Sequence, residues 1–264
     1  MARKSKTAPR ISGILEEMTI EEVRAFKPQV AVLPLGSTEP HGPHLPYGTD
    51  TIVANTLGRM GVLKANARGA RAILYPALPI TNNVNFRKLP FGCRIGVRTL
   101  MNILVDIATQ CREDGVMKLV LLNCHGGNVG TIQAALREIH GMDNMPFVCA
   151  ATRLMPEGFK TPIEHWSDHA GEEETSVIMV ARPDLVRKKK LGPNPTGKLK
   201  IPNLSKLADF VRPWHLYLPT SACGETRKAS QEKGRIVLGA RSDGLAELLV
   251  QLSKAKFDAR FPYE

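Results

Sequence analysis

The stretch Leu33-Pro34-Leu35-Gly36-Ser37-Thr38-Glu39-Pro40-His41-Gly42-Pro43-His44-Leu45-Pro46-Tyr47-Gly48-Thr49-Asp50 decides how the rest of the chain is read. It closes an apolar run, turns through prolines and glycines, and sets two acids and two histidines in one short loop. A solvated connection needs only Gly, Pro, Asn and Ser, so this density of ionisable groups points to chemistry. Glu39 and His41 are two residues apart, and in an extended segment both side chains leave the same face. Asp50 follows at the start of a helix, as its cap or as a second acid. The loop reads as half of a metal site whose other half lies downstream.

Outward from this loop the chain alternates strands and helices. Thr19 and Glu22 fit a capping box before a short helix through Phe26. Gln29 to Leu35 is an apolar strand bounded by Pro28 and Gly36, and Asp50 starts a helix to about Met60. Arg71 to Tyr75 is a second strand, followed by an amide-rich loop from Pro79 to Phe86. Val97 to about Arg112 carries a helical stripe at Leu100, Ile103, Leu104 and Ile107. Lys118 to Asn123 is a continuous apolar strand of the kind buried on both faces. From it Cys124-His125-Gly126-Gly127-Asn128 turns into a helix reaching about His140. Phe147 to Ala151 is a further strand, and Asp168 to Ser176 opens a helix limited by Pro183. Residues 184–220 form a Pro- and Lys-rich excursion, expected at a subunit contact. Ile236 to Leu238 reads as an edge strand or helix start, with Asp243 capping a final helix to about Phe257.

This alternation predicts an α/β fold with a mostly parallel sheet, as one domain over 13–264 after a basic flexible tail over 1–12. Ligands of open α/β sheets bind outside the carboxyl ends of strands. The Glu39 and His125 loops both leave such ends and are expected to share one crevice.

Composition narrows the function classes. The 264 residues carry 36 Lys and Arg against 25 Asp and Glu, a net charge of +11. The basic residues concentrate in the first few positions and in Arg187-Lys188-Lys189-Lys190 with Lys198 and Lys200. No interleaved aromatic platform accompanies them, which favours solvated loops or attraction of an anionic substrate over nucleic-acid binding. No apolar stretch approaches the roughly 18 residues of a membrane helix, and no apolar core follows the basic start. The expected compartment is the cytoplasm. The five cysteines form no C-x-x-C pair and read as buried free thiols, Cys124 standing out beside His125.

The candidate metal ligands are Glu39, His41, Asp50, His125 and Glu174, with His169 close by. Three carboxylates and two imidazoles suit two divalent ions, Zn²⁺, Mn²⁺ or Fe²⁺, with one carboxylate bridging. Each residue has a simpler reading: Asp50 as a helix cap, His125 as a turn brace, Glu174 as a first-turn acid beside Glu172 and Glu173. His44 is taken as a loop brace. The joint occurrence in three loops at strand ends favours the metal reading.

Glu39-Pro40-His41-Gly42-Pro43-His44 with Thr49-Asp50, then His125-Gly126-Gly127-Asn128, then His169-Ala170-Gly171 with Glu174-Thr175-Ser176, resemble the creatininase (creatinine amidohydrolase) family. The resemblance covers roughly residues 15–255 and takes in Gly224-Glu225-Thr226. It implies a three-layer α/β/α fold, a binuclear metal centre with Zn or Mn, and a homo-oligomer, commonly a hexamer. It also implies metal binding by Glu39, His41, Asp50, His125 and Glu174, with Asp50 bridging, and an acid/base role for His169. A neutral imidazole can relay a proton to a departing nitrogen.

The chain departs from creatininase proper at Gly126 and Gly127, where that enzyme carries a bulky residue and an additional acidic ligand. Substrate contacts are expected from Asn82, Asn83, Arg87, Asn128 and Trp214, with Trp166 a second possible wall and Asn128 equally able to brace its loop. A polar, cationic rim suits a small polar or anionic substrate. The expected activity is hydrolysis of a C–N bond, in a cyclic amide or formamide, through a metal-bound hydroxide. A keto-inositol or keto-sugar hydrolase and a non-catalytic metal-containing binding protein are the alternatives.

Overall fold

The computed structural model describes residues 12–152, 154–165 and 167–264. Residues 1–11 of the expected tail, and Trp166, lie outside the described residues. In chain order the elements are α1 (Ile20–Phe26), β1 (Val30–Leu35), α2 (Thr49–Ala67), β2 (Ala72–Leu74), α3 (Val97–Glu113), β3 (Lys118–Asn123) and α4 (Val129–His140). They continue with β4 (Phe147–Ala151), α5 (Glu172–Ala181), β5 (Pro193–Asn194), α6 (Leu204–Leu207), α7 (Trp214–Tyr217), β6 (Gly224–Glu225) and α8 (Gln231–Lys254).

The central sheet has the order β2-β1-β3-β4, with every neighbour parallel. Strand periodicity divides its side chains between two cores. Val30, Val32, Leu74, Val120 and Leu122 face one way, onto Leu57 and Val62 of α2 and Leu245 and Leu249 of α8. Ala31, Leu33, Leu35, Leu119 and Leu121 face the other, onto Leu100 and Leu104 of α3 and Ile132 and Ile139 of α4. The strands are apolar on both faces because both faces are covered. The result is a three-layer α/β/α architecture.

Local signals explain the boundaries. Thr19 and Glu22 form the full capping box ahead of α1. The stripe on α3 buries Leu100, Leu104, Ala108 and Cys111. Two expectations need correction at helix starts. Asp50 is not the cap of α2: Gly48 occupies that position, and Asp50 sits buried in the first turn. The helix runs past Met60 to Ala67, and at Gly61 Leu245 packs directly against its backbone. Likewise, Ile236 to Leu238 is neither strand nor helix start. Residues Gln231–Lys254 are one helix whose cap is Ser230, its Oγ accepting from the Lys233 N–H at 3.2 Å. Asp243 lies mid-helix, 2.6 Å from Lys64 Nζ.

The cysteine reading also changes in part. Cys111 and Cys223 are buried, but Cys93 is exposed. Two connections then wrap the carboxyl end of the sheet. After β2, Leu78 bridges to Leu35 and Thr81 Oγ1 donates to the Gly36 carbonyl at 2.7 Å, which brings the amide-rich loop back over β1. After α5, the excursion runs out and returns through the antiparallel β5–β6 pair, carrying α7 over the same end.

Candidate metal centre

Five loop or helix-end residues converge beyond the carboxyl ends of β1 and β3. Glu39, His41, Asp50 and His125 are almost fully buried, and Glu174 is partly exposed. Asp50 lies at the middle. Its Oδ1 is 3.0 Å from His41 Nε2 and its Oδ2 is 3.0 Å from His125 Nδ1. Glu39 Oε1 is 3.3 Å from His125 Nδ1, and Glu174 Oε2 is 3.9 Å from His41 Nε2. Two groups, Glu39–Asp50–His125 and His41–Asp50–Glu174, each bring their donor atoms within metal-ligand reach, and Asp50 is common to both. A third, Glu39–His41–His169, also satisfies that spacing.

The surroundings orient these donors inward. His41 Nδ1 donates to the Glu39 carbonyl at 3.0 Å, His125 Nε2 to the Asn82 carbonyl at 2.9 Å, and His169 Nε2 to the Pro40 carbonyl at 2.8 Å. Each ring thus has its outer nitrogen fixed as a donor and its inner nitrogen turned to the centre, the usual support for a metal-binding imidazole. Ser37 Oγ donates to Glu39 Oε2 at 2.8 Å, leaving Oε1 free. Glu39 Oε1 and Asp50 Oδ2 are buried with no hydrogen-bond partner among the described residues. An orphaned buried oxygen costs about 1–3 kcal/mol, more when charged, so two of them facing one point call for a cation.

The titration of the cluster carries the same message. Burial alone would lower His41, but Asp50, supported by Glu174 and Glu39, outweighs it and raises the ring to about 9. Burial works against the charge on His125 too, and Glu39 and Asp50 lift it well above its ordinary value. Burial would raise Asp50, whereas His41 and His125 hold it far below the usual carboxylate range. Burial pushes Glu174 up to about 7. Protons therefore neutralise the clustered carboxylates where divalent ions would do so. The donor set of imidazoles and carboxylates fits Zn²⁺ or Mn²⁺.

His169 differs from the other two rings. Burial, reinforced by His41, drives its pKa well below the ordinary value, so the ring is neutral with Nδ1 free. Its Nδ1 stands 3.9 Å from Glu39 Oε1. His44 braces the loop, its Nε2 lying 2.9 Å from Thr175 Oγ1. Cys124 is no thiolate, since burial pushes its thiol up to about 12.

The expected substrate contacts separate into three kinds. Asn83 and Trp214 line a pocket of about 200 Å³ beside Asp50, His125 and His169. Asn83 Oδ1 and Trp214 Nε1 are buried there without hydrogen-bond partners among the described residues. Asn82 and Asn128 instead brace loops: Asn128 Oδ1 accepts from the Asn82 N–H at 3.3 Å and its Nδ2 donates to Asn123 Oδ1 at 3.2 Å. Asn128 is not among the described residues that line the pocket. Arg87 is exposed, and the cation at the pocket is Arg212, whose Nη1 lies 2.6 Å from Asp168 Oδ2. Sequence reading missed Arg212 and Phe86. Phe86 sat at the edge of the amide-rich loop, and Arg212 is two residues before Trp214, so proximity to flagged positions was the only signal.

Gly127 has a steric cause. A Cβ there would come within 2.4 Å of both the Asn82 carbonyl oxygen and His125 Nε2. The bond that orients His125 therefore excludes any side chain at this position, including an acidic ligand.

Comparison with known proteins agrees with this geometry. The sequence model of the Creatininase family, described as creatinine amidohydrolase, matches residues 16–249. A mycofactocin precursor peptide peptidase of Mycolicibacterium smegmatis is 31% identical over 196 residues, 73% of this chain and 70% of that protein. A crystal structure from Bacteroides fragilis, assigned as a creatinine amidohydrolase, superposes with a TM-score of 0.80 at 30% identity, covering 93% of this chain and 98% of that one. A creatininase structure designated Mn gives 0.67 at 25% identity over 92% of this chain and 100% of that one.

Proposed function

The chain belongs to the creatininase family of amidohydrolase-type enzymes, and on that premise we propose that it hydrolyses the C–N bond of an amide, cyclic amide or formamide. The observation that carries this reading is Asp50, which turns one carboxylate oxygen to each of two buried imidazoles. The proposed ligands are Glu39, Asp50 and His125 for one divalent ion and His41, Asp50 and Glu174 for the other. Two such ions, Zn²⁺ or Mn²⁺, would supply Lewis acidity toward a carbonyl and activate water at neutral pH.

The chain's own residues do the rest. His169 is neutral, buried and tethered through Nε2 to the Pro40 carbonyl, which leaves Nδ1 as the site that takes up a proton. A ring whose pKa is held low returns that proton readily to a departing nitrogen. Trp214 and Phe86 pack around His169 and limit its rotation and its access to water. Asn83 and Trp214 line the same pocket and bound the space for the amine side of the substrate. Arg212 at the same pocket favours a polar or anionic head group.

We also assign the chain to the cytoplasm as one domain over 13–264 and as a homo-oligomer, a hexamer by family resemblance. No helix among the described residues is long and apolar enough to cross a membrane. Leu207 and Val211 on the excursion are 81% and 67% exposed, as a subunit contact would require. Light scattering of the purified chain tests the assembly.

Activity is tested by stripping the protein with chelator, restoring Zn²⁺ or Mn²⁺, and following amine release from a panel of amides, cyclic amides and formamides. Metal-dependent release that disappears in Glu174→Gln is the expected result. A panel in which only keto-sugars turn over, or none of the compounds does, overturns the proposal.

A further inference from the structure

Two cavities share a floor made by Asp50, Cys124, His125 and Glu174. The smaller holds His169, Asn83, Phe86 and Trp214 and encloses about 200 Å³. The larger encloses about 570 Å³ and is lined by Val53 and Leu57 of α2, Val177 of α5, Arg241 of α8, and Leu154 and Met155 beyond β4. His169 lines the smaller cavity and is absent from the larger among the described residues.

Away from the shared floor the wall of the larger cavity is mostly aliphatic, through Val53, Leu57, Val129, Leu154, Met155 and Val177, with Asn123, Thr152 and the Glu173–Arg241 pair as polar members. Arg241 of this wall, among the described residues, is paired within it, its Nη2 lying 2.6 Å from Glu173 Oε1. Sites that enclose a drug-sized ligand run to roughly 300–1,000 Å³, mostly apolar with a few placed polar groups. The larger cavity falls in that range and the smaller does not. A compact cyclic amide or a formyl group would use the smaller alone.

We propose that the substrate is an amide with an extended apolar acyl group, which occupies the larger cavity while the amine portion occupies the smaller. This rests on the amide-hydrolase reading above. The direction follows from His169. The departing nitrogen must face the residue that protonates it, so the amine side lies in the smaller cavity. The carbonyl carbon then lies over the shared floor, and the remaining acyl atoms extend past Asp50 and Glu174 between α2, α5 and α8. In the reaction a water oxygen forms the new C–O bond and the C–N bond breaks with its electron pair going to nitrogen. The nitrogen takes up a proton, and a carboxylic acid and an amine leave without any redox change.

Hydroxamates test this without knowledge of the natural substrate, because their head group chelates divalent metal and their acyl chain is free to vary. Calorimetry on the zinc-loaded full chain compares acetohydroxamate with hexanohydroxamate. Hexanohydroxamate is expected to bind at least about tenfold more tightly, as burial of its added methylenes requires. In Val177→Phe, which fills the larger cavity, that ratio is expected to fall to within about twofold of one. Met155→Trp, at the half-buried edge of the same cavity, serves if Val177→Phe does not fold. Equal affinities for the two hydroxamates in the unmodified chain, or a chain-length advantage that survives the cavity-filling substitution, overturn the proposal alone. Failure of acetohydroxamate to bind the zinc-loaded chain overturns the metal-hydrolase reading, and this inference with it.

Discussion

The indole of Trp214 packs against the imidazole of His169, with ring centroids 4.9 Å apart and planes at 71°. Phe86 closes the triangle, 5.1 Å from His169 and 4.6 Å from Trp214. Packed on two sides by aromatic rings, the imidazole is held in one orientation. The proton-handling group of the proposed reaction is thus positioned by residues 83 places before it and 45 places after it in the chain.

Trp214→Ala should therefore lower kcat by about tenfold while leaving metal content unchanged, since the loss is one of orientation. Trp214→Phe should restore most of the rate. The pH profile of kcat separates this from simple destabilisation. The limb belonging to His169 is expected to move toward the ordinary imidazole range in the alanine variant, as burial of the ring is relieved. An unchanged profile would contradict the assignment.

Asp50→Asn should reduce bound metal below one ion per chain, measured by elemental analysis of protein purified without chelator, against about two for the unmodified chain. One oxygen of Asp50 faces each imidazole, so its change weakens both halves of the centre. Hydrolysis is expected to fall by about a thousandfold or more. Retention of two ions in this variant would remove Asp50 from the bridging position.

Gly127→Ala is expected to destabilise the protein by about 1–3 kcal/mol, the ordinary cost of forcing atoms into a packed site. The added Cβ displaces either the Asn82 carbonyl or the His125 ring, both 2.4 Å from its ideal position. Metal affinity should fall along with the melting temperature. A melting temperature equal to that of the unmodified chain, with full metal content, would show that the loop yields freely.

His44 should make stability depend on pH in acid. Burial lowers its pKa from 6.5 to about 4. Below pH 6.5 the unfolded chain takes up a proton at this residue while the folded chain does not, so stability falls as pH drops from 6.5 toward 4 and levels below that. The full difference is about 3 kcal/mol. Urea titrations at pH 7 and pH 4.5 should show a smaller loss in His44→Gln, which keeps a polar group near Thr175 without the titration. Identical losses in both proteins would contradict it.

The sequence by itself determined the sheet and the ligand-bearing loops. The runs Val30–Leu35, 119–122 and Phe147–Ala151 are apolar, so local composition marks them as strands of a sheet covered on both faces. The Glu39–His41 and His125 loops follow those strands directly, and an open parallel sheet delivers both to the same edge. The full lengths of α2 and α8 were not legible, because Gly61, Gly234 and Gly244 are set by close contacts to Leu245, Ser176 and Leu154 that are distant in the chain.

Only the tertiary structure decided what surrounds the centre. Arg87, Asn82 and Asn128 were indistinguishable from Asn83 in one dimension, yet Arg87 faces solvent, Asn82 and Asn128 brace loops, and only Asn83 among them reaches the pocket. The placement of Trp214 and Arg212 depends on how a Pro-rich excursion without periodicity packs back over the sheet. The two cavities are spaces left between α2, α5, α8 and the loops, and no residue encodes such a space locally. Strand and turn formation are governed by neighbours in sequence, whereas pocket shape is set by long-range packing that sequence spacing does not record.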